Sequence, residues 1–150
     1  MVEEQMVCPL TKGERILVAI DGSEYSEEVV KQAISMGKIC NSLVFVLSVI
    51  ELYPEHLEHA PALEEKLSKE ARETLEKAKS RLEEENIPCE TIVRIDGQPH
   101  NVIVSEAKEK NIDLIIMGAH GRGRLMNVIM GSVTQKVIGN APCPVMVIPV

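Results

Sequence analysis

The chain has 150 residues, enough for one domain with a substantial core. Its net charge of −7 argues against a general nucleic-acid binder, and with only Tyr25, Phe45 and Tyr53 aromatic it also lacks a base-stacking platform. No run approaches the roughly 18 apolar residues that cross a bilayer, and the N-terminus carries no long apolar signal core, so the expected compartment is the cytoplasm, with no membrane partner.

A loose lead-in of about a dozen residues, holding Cys8-Pro9, precedes the first predicted strand, Arg15 to Ile20. Ser26 to about Ile39 then reads as a helix, with Val30, Ala33, Ile34 and Gly37 on one face. Leu43 to Ile50 is a nearly continuous apolar run rich in β-branched residues, as expected of a strand covered on both faces. Residues 51–61 read as an exposed loop, and His56 and His59 within it as solvated residues, not a metal site. Ala62 to Glu85 is the longest predicted helix: Leu63, Leu67, Ala71, Leu75, Ala78 and Leu82 recur at helical spacing, Pro61 precedes it, and Asn86-Ile87-Pro88 ends it. Thr91 to Ile95 is the third strand, Asn101 to Lys110 a helix, and Asp113 to Met117 the fourth strand. Ser132 to Gly139 closes the helices, with Ser132-x-x-Gln135 in the form of a capping box, and Pro144 to Ile148 is the fifth strand. Such alternation implies an α/β fold, an open, mostly parallel five-stranded sheet with helices on both faces and right-handed crossovers. Cys8, Cys40, Cys89 and Cys143 are far apart and form no Cys-x-x-Cys pair, so all four are expected as reduced thiols.

In open α/β sheets ligands lie at the carboxyl ends of the strands. Three strand ends carry suggestive residues: Ile20-Asp21-Gly22-Ser23, Val49-Ile50-Glu51 and Met117-Gly118. The last runs into Gly118-Ala119-His120-Gly121, followed by Gly131-Ser132. Glycine lacks a Cβ and tolerates positive φ, so the backbone there can approach a ligand. Ser132 opens a helix, where unpaired N–H groups and the dipole favour an anion. Every Asp and Glu lies at or before Asp113; beyond it the only formal charges are Arg122, Arg124 and Lys136, with His120 beside them. The glycine segment is therefore locally basic in an acidic protein, which favours a small polyanion. Neither Gly-x-Gly-x-x-Gly nor Gly-x-x-x-x-Gly-Lys-Ser/Thr is present, so dinucleotide enzymes and P-loop NTPases fit poorly. A carboxylate at Asp21 would repel phosphate unless it met ribose hydroxyls or a bound Mg²⁺.

These segments together resemble the ATP-binding type of universal stress protein domain. The resemblance runs from about residue 14 to 149. It is carried by Val-Ala-Ile-Asp-Gly-Ser at 18–23, Ile-Met-Gly-Ala-His-Gly-Arg-Gly-Arg at 116–124, Met-Gly-Ser-Val-Thr at 130–134 and Asn-Ala-Pro-Cys-Pro-Val-Met-Val-Ile at 140–148. It implies a Rossmann-like fold of the adenine nucleotide alpha hydrolase-like kind with strand order 3-2-1-4-5. It also implies a site in which Asp21 approaches the ribose and adenosine end and Val49 presents its backbone to the adenine. Gly118 and Gly121 would pass beneath the ribose and phosphates, and Gly131, Ser132 and Val133 would offer N–H groups to the phosphates. Ala19, His120, Arg122 and Thr134 complete the expected contact set. From the strand ends alone, Ile20, Val49, Ile50 and Met117 are expected around the base. The implied ligand is ATP, or ADP or AMP in its place, with Mg²⁺ held by the phosphates. The implied role is regulatory, through the loop from Ala119 to Met130 and an unidentified protein partner. A slow ATPase or phosphotransferase, with His120 as base and Arg122, Arg124 and Lys136 stabilising charge, is the alternative, although no motif fixes a nucleophile; a nucleotide-independent scaffold is another. Family dimers pair through the last strand, so a homodimer through Pro144–Ile148 is expected.

Overall fold

The computed structural model describes residues 6–121 and 130–149. The central strand β1 (Arg15–Ala19) is followed by α1 (Ser26–Cys40), β2 (Leu43–Ile50), the single turn α2 (Pro54–Leu57) and α3 (Pro61–Glu84). Then come β3 (Cys89–Ile95), α4 (Pro99–Glu109), β4 (Leu114–Gly118), α5 (Ser132–Asn140) and β5 (Val145–Ile148). All four strand pairings are parallel, in the order β3-β2-β1-β4-β5. The expected order and class are therefore observed.

Alternation along β1 divides the core into two layers. Ile16 and Val18 point into one layer with Val29, Val30 and Ala33 of α1 and Leu75, Ala78 and Leu82 of α3. Leu17 points into the other with Ile103 and Ala107 of α4 and Val137 of α5. Ile16, Leu17, Val18, Ile115 and Ile116 are all fully buried, which is why β1 and β4 read as unbroken apolar runs. Three helix exits are made by asparagines in the left-handed region, Asn41, Asn86 and Asn111, with φ of 52°, 59° and 52°.

Three expectations are corrected. Residues 51–61 are not wholly an exposed loop: they contain α2, whose Leu57 is buried against the body of the protein, although His56 and His59 are exposed as expected. The apolar stripe of α3 is buried only from Ala71 onward. Leu63, in the first turn of this long helix, is 43% exposed. The cysteines are not all reduced: Cys8 and Cys40 form a disulfide. Sequence spacing hid this pair because the lead-in folds back under the end of α1, a contact set by tertiary structure alone.

Cys89 and Cys143 are free thiols. Burial holds the Cys89 thiol above its ordinary pKa, reinforced by the Glu83 carboxylate. Burial does the same at Cys143, with help from Asp113. The thiolate is the nucleophile, so both cysteines are expected to react slowly with iodoacetamide at neutral pH and faster as the pH is raised toward the unfolded thiol value and beyond. Mass spectrometry of alkylated peptides checks this; rapid labelling of either in the folded protein at pH 7 contradicts it. The same raised pKa makes each thiol's contribution to stability complete at neutral pH and progressively lost above the unfolded value, since the unfolded chain then binds fewer protons.

Candidate functional site

The register of the sheet sets the geometry of its carboxyl edge. Ala19 lies beside Leu47 of β2 and Met117 of β4. Ile20 N donates to Leu47 O at 3.0 Å, so Asp21 follows directly where this pairing ends. The Asp21 carboxylate is fixed by its own turn: Oδ1 accepts from Ser23 N at 2.9 Å and from Ser26 Oγ at 3.3 Å. Gly22 takes φ of 78° in that turn, and its N–H donates to Ser26 Oγ at 3.2 Å. Asp21 therefore organises the entry to α1, although the N-cap position itself falls on Tyr25, which makes no side-chain cap bond.

The second carboxylate oxygen faces the glycine segment. A Cβ built on Gly121 would stand 2.6 Å from Asp21 Oδ2. Two residues separated by a hundred positions in sequence thus share one edge with no room for a side chain between them. A Cβ on Gly118 would come within 3.1 Å of the His120 carbonyl, and one on Gly131 within 3.3 Å of the Ala119 carbonyl. Among the described residues Gly22 is the only glycine with positive φ. Glycine at 118, 121 and 131 therefore serves close approach, most tightly at 121, and not a left-handed backbone, which narrows the reason expected from sequence.

The two halves of the glycine motif are fastened together by direct hydrogen bonds. Gly131 N donates to Ala119 O at 2.7 Å, and Thr134 Oγ1 donates to Gly118 O at 2.9 Å. Ala119 N in turn donates to Ile148 O at 2.9 Å, tying the segment to β5. These bonds deliver the start of α5 to the end of β4. The capping box is corrected here: Gly131, not Ser132, is the N-cap, and no side chain caps the helix. Gln135 Nε2 donates to the Met130 carbonyl instead of reaching back to a cap. Ser132 is exposed at the first position of the helix. The first turn contains no acidic residue, so its N–H groups, which have no intrahelical acceptor, present an uncompensated positive end.

Other expected site residues sort by burial. Ile20 packs in one core layer and Met117 in the other, on opposite faces of the sheet. Ile50 is also buried, which leaves Val49 as the half-buried member of the four apolar residues expected around a base. Ala19 and Val133 are half-buried, while His120 and Thr134 are buried. Thr134 holds the motif together through its bond to Gly118. Arg122 and Arg124 lie outside the described residues. Two parts of this edge escaped sequence reading. Ser23 and Ser26 position Asp21; the spacing Asp-x-Ser-x-x-Ser was the available signal. Tyr53 lies so close over Gly97 that any Cβ there would overlap its ring.

A family model for the universal stress protein family matches residues 13–149 of the chain. The chain belongs to the universal stress protein family. This universal stress protein is 36% identical over 140 residues to universal stress protein MJ0531 of Methanocaldococcus jannaschii, an alignment covering 89% of this chain and 81% of that one. It is 31% identical over 147 residues to universal stress protein YxiE of Bacillus subtilis, covering 89% and 97%. Its fold matches the solved structure of the M. jannaschii protein MJ0577 with a TM-score of 0.81 at 32% identity, over 90% of this chain and 94% of that one. It also matches the universal stress protein of Archaeoglobus fulgidus solved in complex with dAMP, with a TM-score of 0.67 at 26% identity, over 90% and 97% of the two chains.

Proposed function

We propose that this universal stress protein binds an adenine nucleotide, ATP in the first instance, at the carboxyl edge of β1, β2 and β4, and acts as a nucleotide-dependent regulatory protein. The observation that carries the reading is the closure of Asp21 Oδ2 on Gly121, with the start of α5 tied beside them to the end of β4. A carboxylate accepts hydrogen bonds from ribose hydroxyls, and an uncapped helix start donates to phosphate. The dAMP complex of the Archaeoglobus fulgidus relative supports the choice of ligand class. In this reading Ala19, Asp21 and Val49 meet the nucleoside, and Gly118, Gly121, Gly131, Ser132 and Val133 line the phosphates with main chain. His120, Arg122 and Thr134 belong to the same site, Thr134 as a positioning residue.

Mg²⁺ fits this site only as a companion of the phosphates. Among the described residues no three His, Cys, Asp or Glu side chains are grouped to hold a metal, and Asp21 is already engaged with Ser23 and Ser26. When bound with ATP it would neutralise phosphate charge.

Titration calorimetry with ATP, ADP and AMP, with and without Mg²⁺, tests the proposal. One adenine nucleotide per chain is the expected result; no heat at millimolar ligand overturns it. Pairing through β5 belongs to the same reading. β5 is an edge strand whose Val145, Met146 and Val147 are only half-buried. An apolar edge needs a cover, and a second copy related by a two-fold axis supplies one. Sedimentation velocity is expected to give a dimer at micromolar concentration, converted to monomer by Met146→Lys. A monomeric wild-type protein contradicts the pairing without touching the nucleotide proposal.

A further inference from the structure

The opposite, amino-terminal edge of the sheet carries a feature that nucleotide binding does not use. Residues 6–12 cross beneath this edge, and among the described residues they make no hydrogen bond. Their polar contact is an exposed Lys12–Glu14 pair at 4.0 Å, worth little. Leu10 adds packing against the core layer of α1 and α3, while Met6 and Val7 are 77% and 82% exposed. The covalent tie is Cys8–Cys40, which closes a separation of 32 residues.

The chain is firmly held immediately after this segment. Gly13 is buried with its Cα against the disulfide: a Cβ there would come within 2.8 Å of Cys8 Sγ and of Cys40 Cβ. The buried Ser42 hydroxyl donates to the Gly13 carbonyl, and Leu43 N donates to Glu14 O at 2.8 Å. The exit of α1 is made separately, by Asn41 in the left-handed region and by Ser42 N donating to Gly37 O at 3.0 Å. The disulfide therefore clamps a segment that little else holds, onto an edge that is complete without it.

We propose that Cys8–Cys40 is a redox-responsive clamp, opened by a dithiol reductant, that sets whether residues 6–12 are fixed to the amino-terminal edge of the sheet or released from it. In opening, a thiolate of the reductant attacks one of the two sulfurs, forming a mixed disulfide and releasing the other as a thiolate. The second thiol of the reductant then displaces the first protein sulfur. Two electrons and two protons end on Cys8 and Cys40, and the reductant leaves as its own disulfide. Release frees Leu10 from the core layer and restores two thiols, while β1, α1 and the carboxyl edge keep all the bonds described above.

Backbone ¹⁵N relaxation on the folded chain tests this. In the oxidised protein the order parameters of residues 9–12 are expected near the rigid value of about 0.85, falling below about 0.6 in dithiothreitol. Cys8→Ser without reductant is expected to match the reduced protein, and oxidised glutathione to restore the rigid state of wild type. Circular dichroism and nucleotide affinity should be the same in all three, since the clamp and the nucleotide edge lie at opposite ends of the strands; an affinity that follows the redox state contradicts this separation. Order parameters unchanged by reduction and by Cys8→Ser overturn the proposal. So does finding four titratable thiols, instead of the two of Cys89 and Cys143, when air-oxidised protein is unfolded without reductant.

Discussion

Gly121→Val is expected to weaken adenine-nucleotide binding on the order of 100-fold, equivalent to about 2.7 kcal/mol, and to leave the fold nearly as stable as before. The position is exposed, so valine there creates no cavity and buries no polar group, the changes that cost a fold most. The effect comes from Asp21. A Cβ at 2.6 Å from Oδ2 is too close to keep, so either the carboxylate or the glycine segment must move. The carboxylate is not free to swing, because Oδ1 is held by Ser23 N and Ser26 Oγ. The segment therefore moves outward, and it carries with it the main chain proposed to pass beneath the ribose. Asp21→Asn separates shape from charge: it keeps the volume and is expected to lose less affinity than Gly121→Val. Calorimetry reads the affinities and thermal melting reads the fold. A folded Gly121→Val protein that binds nucleotide like wild type removes Asp21–Gly121 closure as the basis of the site.

The order of elements was legible because this sheet is covered on both faces. Its inner strands β1, β2 and β4 are largely apolar runs and its helices carry period-3.6 stripes, two signals that do not overlap. The ends were less legible. α4 starts at Pro99, two residues before the predicted Asn101, because proline suits the first helical turn. β3 starts at Cys89, earlier than Thr91, because Val44 of β2 offers it a partner. The glycine motif could be read since its chemistry is local: glycines after a strand, then a helix start. What held it together could not. The bonds from Gly131 to Ala119 and from Thr134 to Gly118 join residues whose spacing is meaningful only once β4 and α5 are placed. The same applies to Cys8–Cys40. Its partners become neighbours because the lead-in turns under α1, and no periodicity records a turn of that kind.

Burial sorts the apolar residues at the strand ends: Ile20 and Met117 are adjacent to the edge in sequence and are drawn into opposite core layers. Buried charge follows a different logic. Glu106 on α4 is 4% exposed and is tolerated there because Arg94 Nε lies at 2.9 Å from one oxygen and Lys110 Nζ at 2.6 Å from the other. That triad joins β3 to α4 on the face away from α1 and reads as structural.

Leu17→Ala is expected to cost about 3–5 kcal/mol of folding stability, the upper part of the range for a buried leucine. Leu17 is fully buried on the central strand, between β2 and β4, and faces the layer of α4 and α5. A cavity there cannot collapse easily, because the backbone on both sides is fixed by parallel pairing: Leu17 stands in register with Phe45 and Ile115. Leu63→Ala provides the contrast. That residue has the same side chain, sits on the apolar stripe of α3 and not in a strand, and is 43% exposed. Its loss is expected to cost less than about 1 kcal/mol, since only part of its area leaves water on folding. Urea unfolding with an unchanged m-value measures both. Equal losses at the two positions would mean that α3 buries its first turns in solution, for example against a second molecule. Repeating the melt over a range of protein concentrations distinguishes that case, because stabilisation by association grows with concentration and stabilisation within one chain does not.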